Sequence, residues 1–144
     1  MDLERFGWRM IELLPQLIRE ISRRESNYLS QGKITLPQLW VLEALSRQGS
    51  SPMNKIAQSL GVSRPAATGL IDRLIAQGLV RRQPDTRDRR IVRAALTAKG
   101  SRIVKNIWEQ KRKTLMAVFG RISPSGRGQY LNILEKVVQT LREN

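Results

Sequence analysis

Three observations predict a mostly α fold with one small β-hairpin. Residues 56–97 read as a helix, a turn, a second helix, and then two short β-type runs joined by an arginine-rich loop. Long amphipathic segments flank that stretch on both sides. Charge is also concentrated there: residues 63–113 hold fourteen basic and four acidic side chains, +10 of the net +14 of the 144-residue chain.

In chain order, residues 3–30 read as one long helix, with Leu3, Met10, Leu14, Leu17 and Ile21 recurring at spacings of three, four and seven. Pro15 removes a backbone hydrogen bond from its middle, so a kink or split near Leu14 is expected. Gly32 and Lys33 break the pattern. Thr35 then stands as an N-cap with Gln38 at the capping-box position. Leu36, Leu39, Trp40, Leu42, Ala44 and Leu45 predict a mostly buried helix with Trp40 in the core. Residues 48–52 are a turn, and Pro52 opens a helix over 53–60.

Gly61 follows the apolar run ending at Leu60 and suits a left-handed C-cap. Ser63 is an N-cap with Pro65 in the first turn. Ala67, Leu70, Ile71, Leu74 and Ile75 recur at helical spacing, and Gly78 ends the helix. Two helices across a tight glycine turn make a helix-turn-helix, whose second helix (63–77) enters the DNA major groove. Its outward face carries Ser63, Arg64, Pro65, Ala66, Thr68, Gly69, Asp72 and Arg73. Arg64 and Arg73 can donate to phosphate or to guanine O6 and N7. Ala66 and the Thr68 methyl can meet thymine methyls, and the Thr68 hydroxyl can bond a phosphate. Gly69 is anomalous, since a mid-helix glycine costs ~1 kcal/mol relative to alanine. Either the helix backbone approaches DNA closely there or a neighbouring helix packs on it. Asp72 would repel phosphate and is expected to orient Arg73 or an arginine further on.

Leu79 and Val80 begin a strand, and residues 91–96 form a second. Between them lies RRQPDTRDRR, with Pro84 and Asp85 as turn residues. Residues 63–93 hold eight arginines against three aspartates, +5 in one block. An arginine-tipped hairpin (81–93) beside a recognition helix is a winged helix-turn-helix. Its tip, with Arg82, Arg87, Asp88, Arg89 and Arg90 as candidates, is placed to reach phosphates or the adjacent minor groove.

Thr97 caps a helix reaching Phe119. Its polar face of Lys99, Arg102, Lys105, Lys111, Arg112 and Lys113 is mainly solvated and in part extends the DNA footprint. Gly120 ends it, and Ser123–Pro124 starts the last helix. Tyr130, Leu134, Val137, Val138 and Leu141 form a stripe there that is too apolar for an exposed terminus. It is expected to pair with the Leu3–Ile21 stripe and with its counterpart in a second copy. The expected organisation is one domain (1–144), with a DNA-binding lobe at 35–97 and a helical dimerisation region at 1–30 and 98–144.

The run DRRIVRAALTAKG, Asp88 to Gly100, resembles the wing-and-helix signature of the MarR (multiple antibiotic resistance regulator) transcription factors. That signature is an Asp-Arg-Arg tip, five residues, Leu-Thr, and a glycine shortly after. LPQLWVLEAL (36–45) is similar to the family's second helix. LIDRLIAQGLVRR (70–82) is similar to its recognition helix and the start of its wing. The similarity runs over nearly the whole chain, and the two motifs together are specific where either alone is weak. The resemblance implies that Arg90 inserts into the minor groove, that Arg89 lies on the DNA backbone, and that Asp88 braces the tip by pairing with an arginine. It implies a homodimer as well. In many members a small, usually aromatic, anion binds in a crevice between the dimerisation helices and the DNA lobe, so such an effector is a possible partner here. Many members carry a contacting side chain where Gly69 stands, so an operator sequence does not carry over.

Composition excludes other classes. With no cysteine and no histidine, disulfides, thiol redox sensing, Cys/His zinc sites and the usual His or Cys catalytic dyads are absent. No cofactor, metal or catalytic residue is expected. No run of ~18 apolar residues occurs, and the N-terminus lacks a basic-then-apolar leader, so a cytoplasmic location is expected. The expected function is a homodimeric, sequence-specific DNA-binding regulator, a repressor on an inverted repeat. The alternative is a sequence-tolerant architectural or nucleoid-type DNA-binding protein, which net +14 would also suit. A regulator prefers its site ~10³-fold or more, an architectural protein very little.

Overall fold

The computed structural model describes residues Met1 to Asn144. Its elements are α1 (Leu3–Ser22), α2 (Leu36–Gln48), β1 (Ser51–Pro52), α3 (Met53–Leu60), α4 (Arg64–Ala76), β2 (Val80–Pro84), β3 (Val92–Leu96), α5 (Ala98–Phe119) and α6 (Pro124–Glu143). The expected mostly α fold is present, with one addition. The sheet has three antiparallel strands in the order β1-β3-β2. Ser51 and Pro52, expected in a turn, pair with Ala94 and Arg93. Two residues ending in a proline suit a short edge strand, because proline has no N–H to offer a further neighbour.

The core lies between α2, α3, α4, the sheet and the first half of α5. Leu42, Ile56, Ile71, Leu74, Leu79, Val104 and Ile107 are fully buried there. Burying each such side chain contributes roughly 1.5–3 kcal/mol. Thr35 caps α2 as expected: its hydroxyl accepts from Gln38 N (3.3 Å), and Gln38 Oε1 accepts from Thr35 N (2.8 Å).

Four expectations need correction. First, α1 ends at Ser22, not near Ser30. Asn27 Oδ1 accepts from the amides of Leu29 (2.9 Å) and Ser30 (3.0 Å), a local turn that competes with helix. Buried Glu25 anchors the same segment to Lys111 of α5 at 3.3 Å. Second, α1 is continuous through Pro15. The carbonyl that loses its partner belongs to Ile11, an exposed residue, and so remains open to water. Third, Trp40 is not core: it is 46% exposed and Leu36 48%. At 3.6 residues per turn they share a face with Glu43 and Arg47, whose charges mark it as the outer one. Fourth, the α1 and α6 stripes do not bury one another within the chain, and neither helix has a buried residue. The contact of α6 with α5 includes the Tyr130 ring, 5.2 Å from that of Phe119. No helix is long and apolar enough to cross a membrane.

Candidate nucleic-acid interface

The turn between α3 and α4 forms as the sequence dictates. Gly61 adopts a left-handed φ of 64°, and Ser63 Oγ accepts from Ala66 N at 3.2 Å. Burying Ala67, Ile71 and Leu74 fixes the rotation of α4. Ser63, Arg64, Pro65, Ala66, Gly69, Asp72 and Arg73 are left exposed, with Thr68 half-buried. The Thr68 hydroxyl donates to Arg64 O at 3.0 Å, so its hydrogen is held within the helix. A methyl group built on Gly69 would meet no atom within 4 Å, so no neighbouring helix packs on it. Asp72 accepts from Arg82 of β2, which ties α4 to the hairpin.

The hairpin, or wing, is braced at two levels. At its tip Asp88 accepts from Arg90 three times: Oδ1 from the amide (3.0 Å) and from Nε (3.1 Å), Oδ2 from a terminal guanidinium nitrogen (3.0 Å). The Arg90 guanidinium holds the Asp88 carboxyl below the usual carboxylate range, and the arginine's own pKa is raised in return. The Arg90 side chain is still 90% exposed. Deeper in the wing, Asp85 Oδ1 accepts from the amides of Arg87 (2.8 Å) and Asp88 (3.1 Å), and Oδ2 from Arg93 (2.9 Å). Those two amides, followed by Arg93, lower its pKa. Arg93 also donates to Ser50 Oγ (3.1 Å) and Ser50 O (2.7 Å), and Gln83 donates to Ser50 Oγ (2.6 Å). The wing root is thereby fastened to the turn before β1. Arg64, Arg73, Arg81, Arg87 and Arg89 are exposed and form no ion pair within the chain.

A third joint links this lobe to α5. Thr97 N donates to Leu79 O (3.1 Å), its hydroxyl donates to Gly78 O (2.6 Å), and the same hydroxyl accepts from Gly100 N (3.0 Å). A Cβ on Gly100 would lie 2.0 Å from Leu79 O, so only glycine allows this approach. That contact is the physical content of the Leu-Thr-x-x-Gly spacing.

The structure thus brings Ser63 to Arg73 together on one helix face, and Arg82 to Arg90 on the wing beside it. Sequence reasoning did not single out Ser50, Gln83 or Arg93 as a clamp. Its one trace in the sequence is a long cationic residue, Arg93, amid the small and apolar residues of β3. No cluster of three His, Cys, Asp or Glu side chains that could hold a metal occurs.

A MarR family profile matches residues 34–92. The uncharacterized HTH-type transcriptional regulator YsmB of Bacillus subtilis is 30% identical over 118 residues, 82% of this chain and 76% of that protein. A MarR-like transcriptional regulator from Thermotoga maritima superposes with a TM-score of 0.78 at 25% identity, covering 99% of this chain and 98% of that one. BpsR of Bordetella bronchiseptica, whose DNA binding is regulated by 6-hydroxynicotinic acid, superposes at 0.64 with 25% identity, covering 90% and 98%.

Proposed function

We propose, since the chain belongs to the MarR family of HTH-type transcriptional regulators, that it acts as a homodimeric repressor reading an inverted-repeat operator. One observation carries the reading. Arg64, Arg73, Arg87 and Arg89 stand exposed without carboxylate partners, on a helix and a wing that the Asp72–Arg82 pair ties together. Helix 63–77 lies in the major groove, with Ser63, Arg64, Pro65, Ala66, Thr68 and Arg73 against phosphates and base edges. The wing, 81–93, follows the flank. Arg82, Arg87 and Arg89 face the backbone, and Arg90 enters the minor groove after exchanging Asp88 for DNA.

The lobe at 35–97 is carried by a dimerisation region at 1–30 and 98–144. The exposed stripes of α1 and α6 supply apolar surface for a twofold interface. Two recognition helices then sit about one DNA turn apart, on half-sites ~10 base pairs centre to centre. Repression needs only occupancy: a dimer on two half-sites excludes other proteins from that stretch of duplex. A small aromatic anion between lobe and dimerisation helices would release it, a reading that BpsR and its ligand support. A DNA partner fits a cytoplasmic location. The second reading, an architectural binder, is favoured by the net charge of +14 and by Gly69, which offers no side chain for base readout.

Fluorescence anisotropy tests the choice, using a duplex enriched from a random pool against a scrambled one at two salt concentrations. A regulator gives a ratio of ~10³ or more, and Arg90→Ala lowers affinity for the enriched duplex roughly tenfold. Equal binding to both duplexes establishes the architectural reading. An unaffected Arg90→Ala removes the wing from the minor groove.

A further inference from the structure

The centre of α4 carries a glycine that nothing in the chain requires. Gly69 is exposed, has no left-handed φ, and has open space where a side chain would stand. Gly100 is the opposite case, closed against Leu79 O. A glycine inside an exposed helix stretch is less stable than alanine, and no packing contact here offsets that.

The position of Gly69 on the helix is specific. At about 100° per residue, it lies opposite the buried Ala67, Ile71 and Leu74, at the middle of the outward face. Pro65, one turn earlier, and Asp72 and Ala76, later in the helix, complete this crest. None of the four offers a hydrogen-bond donor to a base edge: Pro65 is a ring, Ala76 a methyl, Gly69 nothing, and Asp72 is held by Arg82. The long donors, Arg64 and Arg73, stand to either side.

We infer that Gly69 is the point where α4 seats closest to the base edges, and that its missing side chain determines specificity. The backbone lies against the groove floor. Base pairs opposite the crest are read by shape and by contact with thymine methyls rather than by hydrogen bonds. Hydrogen-bonded readout falls to Arg64 and Arg73 at the flanks. This inference rests on the reading of α4 as the groove helix.

The test sets stability against binding in one variant. Gly69→Ala is compared with wild type and Arg73→Ala, at equal protein concentration, by thermal melting and by anisotropy on a duplex that the wild-type protein enriches from a random pool. Gly69→Ala is expected to melt about 3 °C higher. It should bind the enriched duplex at least tenfold more weakly while holding the scrambled duplex as before. Wild-type affinity in Gly69→Ala overturns the inference and leaves the groove helix standing, provided Arg73→Ala weakens binding. A lower melting temperature in Gly69→Ala also overturns it, since the glycine would then serve the fold. If the wild-type protein enriches no sequence, the regulator reading gives way to the architectural one and the inference falls with it.

Discussion

The DNA-binding lobe and the helices α1 and α6 are built from similar apolar stripes, yet they finish in opposite states. In the lobe, Ile56, Ile71 and Leu74 are fully enclosed by their own chain. On α1, Leu3 and Leu14 of the stripe are exposed and Met10, Leu17 and Ile21 only half-buried, and on α6 Leu134, Val137 and Leu141 are exposed. An apolar stripe specifies that a face is to be covered, but not by what. The lobe satisfies that demand within the chain, with Val104 and Ile107 of α5 completing its core. α1 and α6 leave it to a second copy in the proposed dimer.

The contrast can be broken most directly by truncation on each side. Ile71→Ala in the lobe should cost about 2–5 kcal/mol of unfolding free energy, a penalty independent of protein concentration. Leu134→Ala on α6 should lower the melting temperature at protein concentrations where the wild-type chain is dimeric and leave it unchanged where wild type is monomeric, with a parallel loss of dimer in sedimentation. A loss of equal size in dilute, monomeric protein would erase the distinction.

A smaller effect sharpens it. Arg93→Ala removes the clamp between Asp85 and Ser50 without touching the core or the α1 and α6 stripes. DNA affinity should fall roughly fivefold, a fraction of the ~1–3 kcal/mol of a direct base contact, with the oligomeric state unchanged. Anisotropy and sedimentation on the same sample check both halves.

The smallest effect is the response of the wing to acid. Asp85 and Asp88 are both held below the usual carboxylate range in the folded chain. Their contribution is therefore present above that range and is lost as pH falls through the lowered values, below about pH 4. The Asp88 side chain is a third exposed and that of Asp85 is mostly covered, so salt should diminish the effect chiefly at Asp88. The amide resonances of Arg87, Asp88 and Arg90, whose N–H groups these carboxylates accept, should shift there while core amides stay in place.

Much of the lobe could be read from the chain because its signals are local. Gly61, Ser63, Thr35 with Gln38, and Thr97 each act within a few residues, and each appears where the spacing put it. What escaped was non-local or two-sided. The pairing of β1 with β3 joins residues more than forty apart. The Arg93–Ser50 clamp spans the same gap, and no periodicity reports it. Trp40 misled because size and apolarity argue for burial, while the face it shares with Glu43 and Arg47 decides the matter. In the candidate site, types and positions were legible from Arg64 to Arg90. The division of the wing arginines into braced ones, Arg82, Arg90 and Arg93, and unpaired ones, Arg81, Arg87 and Arg89, required the coordinates.

The joint at Thr97 and Gly100 has a mechanical consequence. With 22 residues, α5 is a rod about 33 Å long. Its first turn lies against Leu79 with no room for a methyl group, which seats the start of the rod directly on the lobe. In the proposed complex, a tilt of about 6° about the far end would carry the recognition helix about 3.4 Å along the duplex, one base-pair step, so a small change of helix angle would be enough to move it off register.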